Sequence, residues 1–211
     1  MRKLAVVLAV WLMMAVGIGA IGCSEKTSPT PTPEPTIPVN FTTYTNNAGI
    51  FSISYPQDWE APLWMLENLE LYSTDYMNSV NSSQSVSDVY VLFLAGQPMD
   101  GGLDPNINIV VEPRPAGTVT LDNVIDAEIL GLESTATDFH ELSRTEMTVG
   151  GKEAAIVEYE ASFEAAEVHN LVMFIPTELN VWTITCTTGP EKYGSAENTL
   201  YDILRSFRIY K

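Results

Sequence analysis

Three oxygen-bearing side chains lie close together in one glycine-containing segment of the sequence. They are Asp100, Asp104 and Asn106, within Asp-Gly-Gly-Leu-Asp-Pro-Asn. Calcium prefers carboxylate and amide oxygens, so the segment is a candidate calcium site, although its spacing differs from that of an EF-hand loop. The same residue types are also typical of a plain turn that needs no metal. The sequence leaves both interpretations open.

Two histidines and a cysteine in strand-like segments are the next candidates for chemistry. His140 and His169 could meet across a sheet beside acidic residues and hold a first-row metal ion, but ordinary surface or edge histidines are expected. Cys186 lies in an apolar run with no base beside it. We expect it to be a small buried hydrophobic residue rather than a nucleophile.

The sequence lacks the motifs that organise common active sites. It contains neither a phosphate-binding glycine motif nor Gly-x-Ser-x-Gly. Its 27 acidic residues guarantee chance pairs of carboxylates, so such a pair would not by itself indicate acid–base catalysis. No nucleophile, base and orienting group can be named together, so we expect a protein that is not an enzyme and has no catalytic residues.

Residues 1–22 predict a signal peptide. A basic Met-Arg-Lys start precedes a long uncharged apolar run, which ends in Ala-Ile-Gly-Cys at Cys23. This pattern resembles the lipobox of a bacterial lipoprotein, although Ala20 stands where leucine is usual. The resemblance implies that residues 1–22 are removed and that Cys23 carries a lipid. An uncleaved membrane anchor and an ordinary secretory signal are the alternatives.

Residues 23–40 follow as a lipidated cysteine and a linker rich in Pro, Thr and Ser. Such a composition cannot build a core and favours an extended polyproline II spacer. Both a lipid and an uncleaved anchor would hold the protein on the cell membrane, facing outside the cytoplasm. Two acyl chains on a diacylglyceryl group give stable attachment.

The chain is strongly acidic. Its formal net charge is −17, which becomes −19 once Arg2 and Lys3 leave with the signal peptide. Phosphate backbones are repelled by such a surface, so we expect no nucleic acid among the partners. Attraction to anionic lipid headgroups is excluded for the same reason. Cations and basic proteins remain compatible partners.

Residues 41–211 predict one α+β domain. Alternating apolar and polar residues indicate strands, and at least two strand-like runs are apolar on both sides, which requires cover on both faces of a sheet. Short turns between the strands favour antiparallel pairing, so we expect an α/β/α sandwich with a central antiparallel sheet covered by helices on both faces. Strands are predicted at 41–45, 50–55, 89–95, 106–112, 139–149, 155–163, 168–175 and 179–187. Helices are predicted at 60–72, 121–133 and 191–206.

Several short segments together form a familiar pattern. They are Phe-x-x-Tyr at 41–44, Gly-Ile-Phe-Ser-Ile-Ser-Tyr-Pro-Gln-Asp-Trp-Glu at 49–60, Thr-Leu-Asp-Asn at 120–123, Gly-Gly-Lys-Glu-Ala at 150–154 and Leu-x-x-Ile-Leu-x-Ser-Phe at 200–207. The pattern resembles the PsbP-like family, named for an extrinsic subunit of photosystem II. The resemblance covers residues 41–211 and implies an antiparallel sheet between helices.

The resemblance also implies a non-catalytic role. Plant members dock on a membrane complex and help retain calcium and chloride, but they use basic patches, whereas this chain is acidic. We expect a lipid-anchored extracytoplasmic domain that binds a protein partner or supports a membrane complex. The alternative is a module that binds a small ligand or a cation such as calcium, at the loop around Asp100 or in a cleft between sheet and helix. No other cofactor is expected.

Overall fold

The computed structural model describes residues 36–46, 49–60, 90–98, 103–113, 120–163, 166–178 and 180–210. The predicted signal peptide, Cys23, Asp100 and all but the first residue of the predicted helix at 60–72 lie outside these residues, as does most of the linker.

Nine β-strands and two α-helices form from the described residues. Their order is β1 (Phe41–Thr45), β2 (Phe51–Pro56), β3 (Tyr90–Gly96), β4 (Asn106–Pro113), α1 (Leu121–Thr135), β5 (Asp138–Val149), β6 (Lys152–Phe163), β7 (Ala166–Pro176), β8 (Asn180–Thr188), α2 (Pro190–Ser206) and β9 (Arg208–Ile209). The ends of both helices follow from their sequences. The Thr120 side chain caps α1 by accepting a hydrogen bond from the backbone N–H of Asn123. Pro190 begins α2, at a position where a missing backbone N–H costs nothing.

The strands form two separate antiparallel sheets. A six-stranded sheet has the order β3-β4-β8-β7-β6-β5, and a three-stranded sheet has the order β1-β2-β9. Every pairing in the large sheet except β4 with β8 joins strands that follow each other along the chain. The antiparallel sheet predicted from the sequence is therefore confirmed, but its first two strands belong to a second sheet.

The two faces of the large sheet carry two separate apolar cores. Along β7, Leu171 and Met173 join the core that contains α2 and the small sheet, whereas Val172 and Phe174 join the core beneath α1. Alternate residues of a strand point to opposite faces, so one strand serves both cores. In the larger core the Phe51 ring of β2 lies 5.7 Å from the Trp182 ring of β8.

The α/β/α sandwich is not confirmed in its exact form. What is confirmed is a sheet-rich domain with two antiparallel sheets and two helices. The difference arises because the small sheet and α2 both contribute to the same core. Strand β2 packs against α2 and pairs with β9 directly after that helix, so residues 41–56 are joined to the C-terminal end of the chain.

Candidate functional site

Asp104 and Asn106, two of the three predicted calcium ligands, come together just before and within the start of β4. The Asp104 carboxylate is 4% exposed and bonds the Lys192 ammonium in the first turn of α2. The Asn106 amide nitrogen donates to the backbone oxygens of Asp104, at 3.1 Å, and Thr187, at 3.3 Å. Both side chains therefore bond to other residues of the protein. These bonds join the β3–β4 connection to α2 and β8.

The calcium site stays a prediction, because Asp100 lies outside the described residues. Within the described part of the chain, no group of three or more His, Cys, Asp or Glu is arranged to hold a metal ion. A cation at Asp104 would also have to compete with Lys192, whose ammonium is tethered beside that carboxylate.

A cleft of about 360 Å³ opens next to this ion pair. It lies between α2, the turn that follows β2, and the residues at the β3 and β4 ends. One wall comes from α2, a second from the turn around Trp59, and a third from the segment that contains Asp104. The lining residues are Asn40, Pro56, Asp58, Trp59, Gln97, Asp104, Pro105, Lys192, Ser195, Ala196 and Thr199.

A polar cluster lies between β5, β6, β7 and α2, on the same face of the large sheet as α2. At its centre His169 is 3% exposed, with Nε2 2.9 Å from Glu158 Oε1 and Nδ1 3.1 Å from Glu160 Oε1. An ionised carboxylate can only accept, so both contacts are satisfied together when both ring nitrogens carry a proton. The cluster comprises Ser143, Glu158, Glu160, His169, Tyr193 and Tyr201.

Helix α2 covers the polar cluster with two tyrosines. The Tyr193 ring stacks on the His169 ring, with centroids 3.4 Å apart and an angle of 14° between the planes. Tyr201 donates to Glu158 Oε2 over 3.4 Å, and Ser143 of β5 donates to the same oxygen over 2.9 Å. Since Tyr193 follows Lys192, one turn of α2 contacts both the polar cluster and the cleft.

The environment lowers the pKa of Glu158 below its ordinary value of 4.5. Burial acts in the opposite direction, but bonding to Tyr193, His169 and Ser143 outweighs it. The buried Tyr193 hydroxyl makes no hydrogen bond of ideal geometry with the described residues. It nevertheless lies close enough to Glu158 to lower the pKa of that carboxyl. Burial, reinforced by the Glu158 charge, raises the pKa of both Tyr193 and Tyr201.

The expectation of surface or edge histidines is right for one histidine and wrong for the other. His140 is exposed on the edge strand β5, with Nε2 3.0 Å from Asp138. His169 is buried because it lies in the interior strand β7. The strand register could have shown that both histidines flank Glu160. The β6–β7 hairpin places His169 opposite Glu160, and the β5–β6 hairpin places His140 on the other side of Glu160.

Cys186 is a buried residue of the larger core, as the sequence predicts. Burial raises the pKa of its thiol, so the nucleophilic thiolate is disfavoured. The thiol contacts the Leu200 carbonyl oxygen at 3.9 Å.

None of the helices within the described ranges is long and apolar enough to cross a membrane.

Comparison with known proteins places the fold. No protein-family model matches the sequence, and no curated protein matches it either. The solution structure of cyanobacterial PsbP (CyanoP) from Synechocystis sp. PCC 6803 matches with a TM-score of 0.53 at 11% identity, over 86% of this chain and 98% of that one. The chain has a PsbP-like fold. The resemblance read from the sequence segments is thereby confirmed at the level of the fold.

A second structural match is a mycobacterial protein. LpqN, described as involved in cell envelope biogenesis of Mycobacterium tuberculosis, matches with a TM-score of 0.50 at 14% identity, over 81% of this chain and 91% of LpqN. These structural matches establish a common fold. At identities this low they do not assign a function, which must follow from this chain's own surfaces.

Proposed function

We propose that this PsbP-like domain is a non-catalytic binding domain, held outside the cytoplasm by a lipid on Cys23, that binds a protein partner. The lipobox-like sequence at Cys23 supports the location outside the cytoplasm. The involvement of LpqN in cell envelope biogenesis agrees with this location by analogy of fold.

Two leucines exposed on neighbouring elements are the observation that carries the proposal. Leu130 of α1 is 64% exposed and Leu142 of β5 is 50% exposed. Arg144 of β5 joins the two elements, since it contacts Asp126 of α1 at 3.8 Å and Glu141 of β5 at 3.0 Å. We call this the α1–β5 surface, defined by Asp126, Leu130, Glu141 and Leu142.

The chemistry of the α1–β5 surface fits a basic protein partner. Exposed leucines can enter apolar pockets of a partner, and a polar rim around such anchors sets orientation and specificity. Here the rim carries Asp126 and Glu141 against the cation Arg144, which leaves an acidic excess on a domain whose net charge is strongly negative. Complementary charge on the partner would speed association and exclude acidic competitors.

The edge of the large sheet favours side-chain recognition over strand addition. Strand β5 is the edge strand on this side of the large sheet, opposite the β3 edge, and its pairing with β6 shifts register between Glu141 and Ser143, at Leu142. Such irregularities and charged side chains on an edge hinder the pairing of a further strand. The partner is therefore expected to contact the leucine side chains and carboxylates.

A crosslinking experiment on native membranes tests this proposal. The full-length chain is captured as wild type, as the double variant Leu130→Ser, Leu142→Ser, and as Val39→Ser, which alters an aliphatic residue that is fully exposed elsewhere. All three should fold, because exposed substitutions of this kind change stability by only about 0.5 kcal/mol. Partner bands recovered with wild type and Val39→Ser should disappear with the double variant. Identical bands from all three proteins would refute the surface.

A further inference from the structure

The cleft beside α2 is separate from the α1–β5 surface and has a different chemistry. Its polar lining residues are far apart in sequence: Asn40, Asp58, Gln97 with Asp104, and three residues of α2 from Lys192 to Thr199. Small-ligand pockets have volumes of about 300–1,000 Å³ and are mostly apolar with a few polar groups. This cleft has the volume but a mainly polar lining, so its ligand must be polar.

The lining offers donors and acceptors side by side. The Lys192 ammonium donates, the Asp58 and Asp104 carboxylates accept, and the Asn40 and Gln97 amides can do both. Hydroxyl groups of a ligand also donate and accept, so a ligand with several hydroxyls can pair with each kind of group. Apolar contact is confined to the lining prolines, Ala196 and the Trp59 indole.

The charges of the cleft select against ions of either sign. Two carboxylates and one ammonium leave the lining with a negative excess, within a domain that is strongly acidic, so anions are repelled. The buried Asp104 carboxylate already bonds Lys192, so an incoming cation must displace an ammonium that the fold holds in place. A neutral ligand avoids both penalties.

We infer that the cleft binds a neutral, polyhydroxylated ligand: a mono- or disaccharide, or the end of a longer glycan. The Asp104–Lys192 pair forms one end of the site and holds the β3–β4 connection against α2. Asp58, Gln97 and Thr199 line the remaining walls and contact ligand hydroxyls. The site is independent of the proposed partner surface, which lies on the α1 side of the large sheet, so either can fail without the other.

Saturation-transfer NMR on the full-length chain in lauryldimethylamine oxide micelles tests the inference, since this detergent contains no sugar. The probes are N-acetylglucosamine, its β-1,4-linked disaccharide and maltose, with inorganic phosphate as a charged comparison. At least one sugar should receive saturation from the protein, and phosphate should not displace it. Absence of transfer to all three sugars, or displacement by phosphate, would overturn the inference.

Variants locate the signal. Gln97→Ala removes an exposed amide from the lining and should weaken sugar binding about tenfold, the effect of one lost hydrogen bond. Ser195→Trp fills the cleft from the exposed side of α2 and should abolish binding. Gln57→Ala, at an exposed glutamine outside the lining, is the matched control and should bind as wild type does. Unchanged binding in Ser195→Trp would place the sugar elsewhere and refute the site.

Discussion

Glu158 is the shared acceptor of the polar cluster. Its two oxygens take bonds from His169 in β7, Ser143 in β5 and Tyr201 in α2. A single carboxylate therefore connects three elements, and bonds to a charged acceptor are stronger than bonds between neutral groups. Glu160 also bonds His169, but its side chain is 44% exposed, so water can replace what it provides.

Replacement of Glu158 should destabilise the domain. Glu158→Gln keeps the size of the side chain and removes the charge, so at pH 7 the free energy of unfolding should fall by about 2 kcal/mol. Glu160→Gln is the matched control and should cost less than about 1 kcal/mol, because the Glu160 side chain is partly exposed to solvent. Urea denaturation measures both values. Equal losses in the two variants would contradict the assigned role of Glu158.

The lowered pKa of Glu158 predicts how stability depends on pH. A carboxyl whose pKa is lower in the folded state than in the unfolded state stabilises the fold above its unfolded value, here 4.5. This contribution is lost as the pH falls through the lower folded pKa. The difference in melting temperature between wild type and Glu158→Gln should therefore shrink as the pH falls below 4.5. A difference in melting temperature that grows as the pH falls would mean that folding raises the pKa of Glu158 instead of lowering it.

Gly96 shows how a strand end limits the choice of residue. A Cβ placed there would lie 2.9 Å from the Asn106 Cβ and 3.3 Å from the Pro105 carbonyl oxygen, so β3 and β4 approach too closely for a side chain. Gly96→Ala should lower the free energy of unfolding by about 1–3 kcal/mol. Gly194→Ala, in α2 with nothing within 4 Å of the added carbon, should instead stabilise by up to about 1 kcal/mol. Thermal unfolding of both variants checks the contrast, and a stable Gly96→Ala would contradict the close approach.

Local periodicity was enough to predict most elements. Strands β1 to β8 and both described helices lie within a few residues of their predicted bounds, because each segment alternates, repeats with the helical period or is apolar on both faces. The β5–β6 hairpin is also local, since Gly150 and Gly151 have φ angles of 58° and 78° that favour glycine. Strand β9 has only two residues and shows no period, so it could not be predicted from a local pattern.

The candidate sites were less predictable than the elements. The cleft combines segments around positions 58, 97–105 and 192–199, and no local pattern relates them. Asp104 was recognised as an oxygen ligand, but its pairing with Lys192 depends on where α2 packs. Burial of His169 also requires Tyr193 of α2 to stack on its ring, and no local pattern predicts where α2 packs.

The proposed attachment to the membrane concerns the whole molecule and depends on Cys23. Cys23→Ser should abolish labelling of the full-length protein with radioactive palmitate and change its mobility on a gel, since the acceptor thiol is gone. Cys186→Ala is the matched control and should label as wild type does, because that thiol is buried in the core. An unchanged mobility would favour an uncleaved anchor instead, and labelling of Cys23→Ser would place the lipid on another residue.

Site-specific photo-crosslinking tests the central claim, binding of a protein partner through the α1–β5 surface, most directly. A photoreactive amino acid replaces Leu130 in one variant and Val39 in another, and cells are irradiated with the protein on its native membrane. We predict a discrete protein adduct from position 130 that excess Arg-rich peptide reduces, and no such adduct from position 39. Equal adducts from both positions, or none from position 130, would contradict the account.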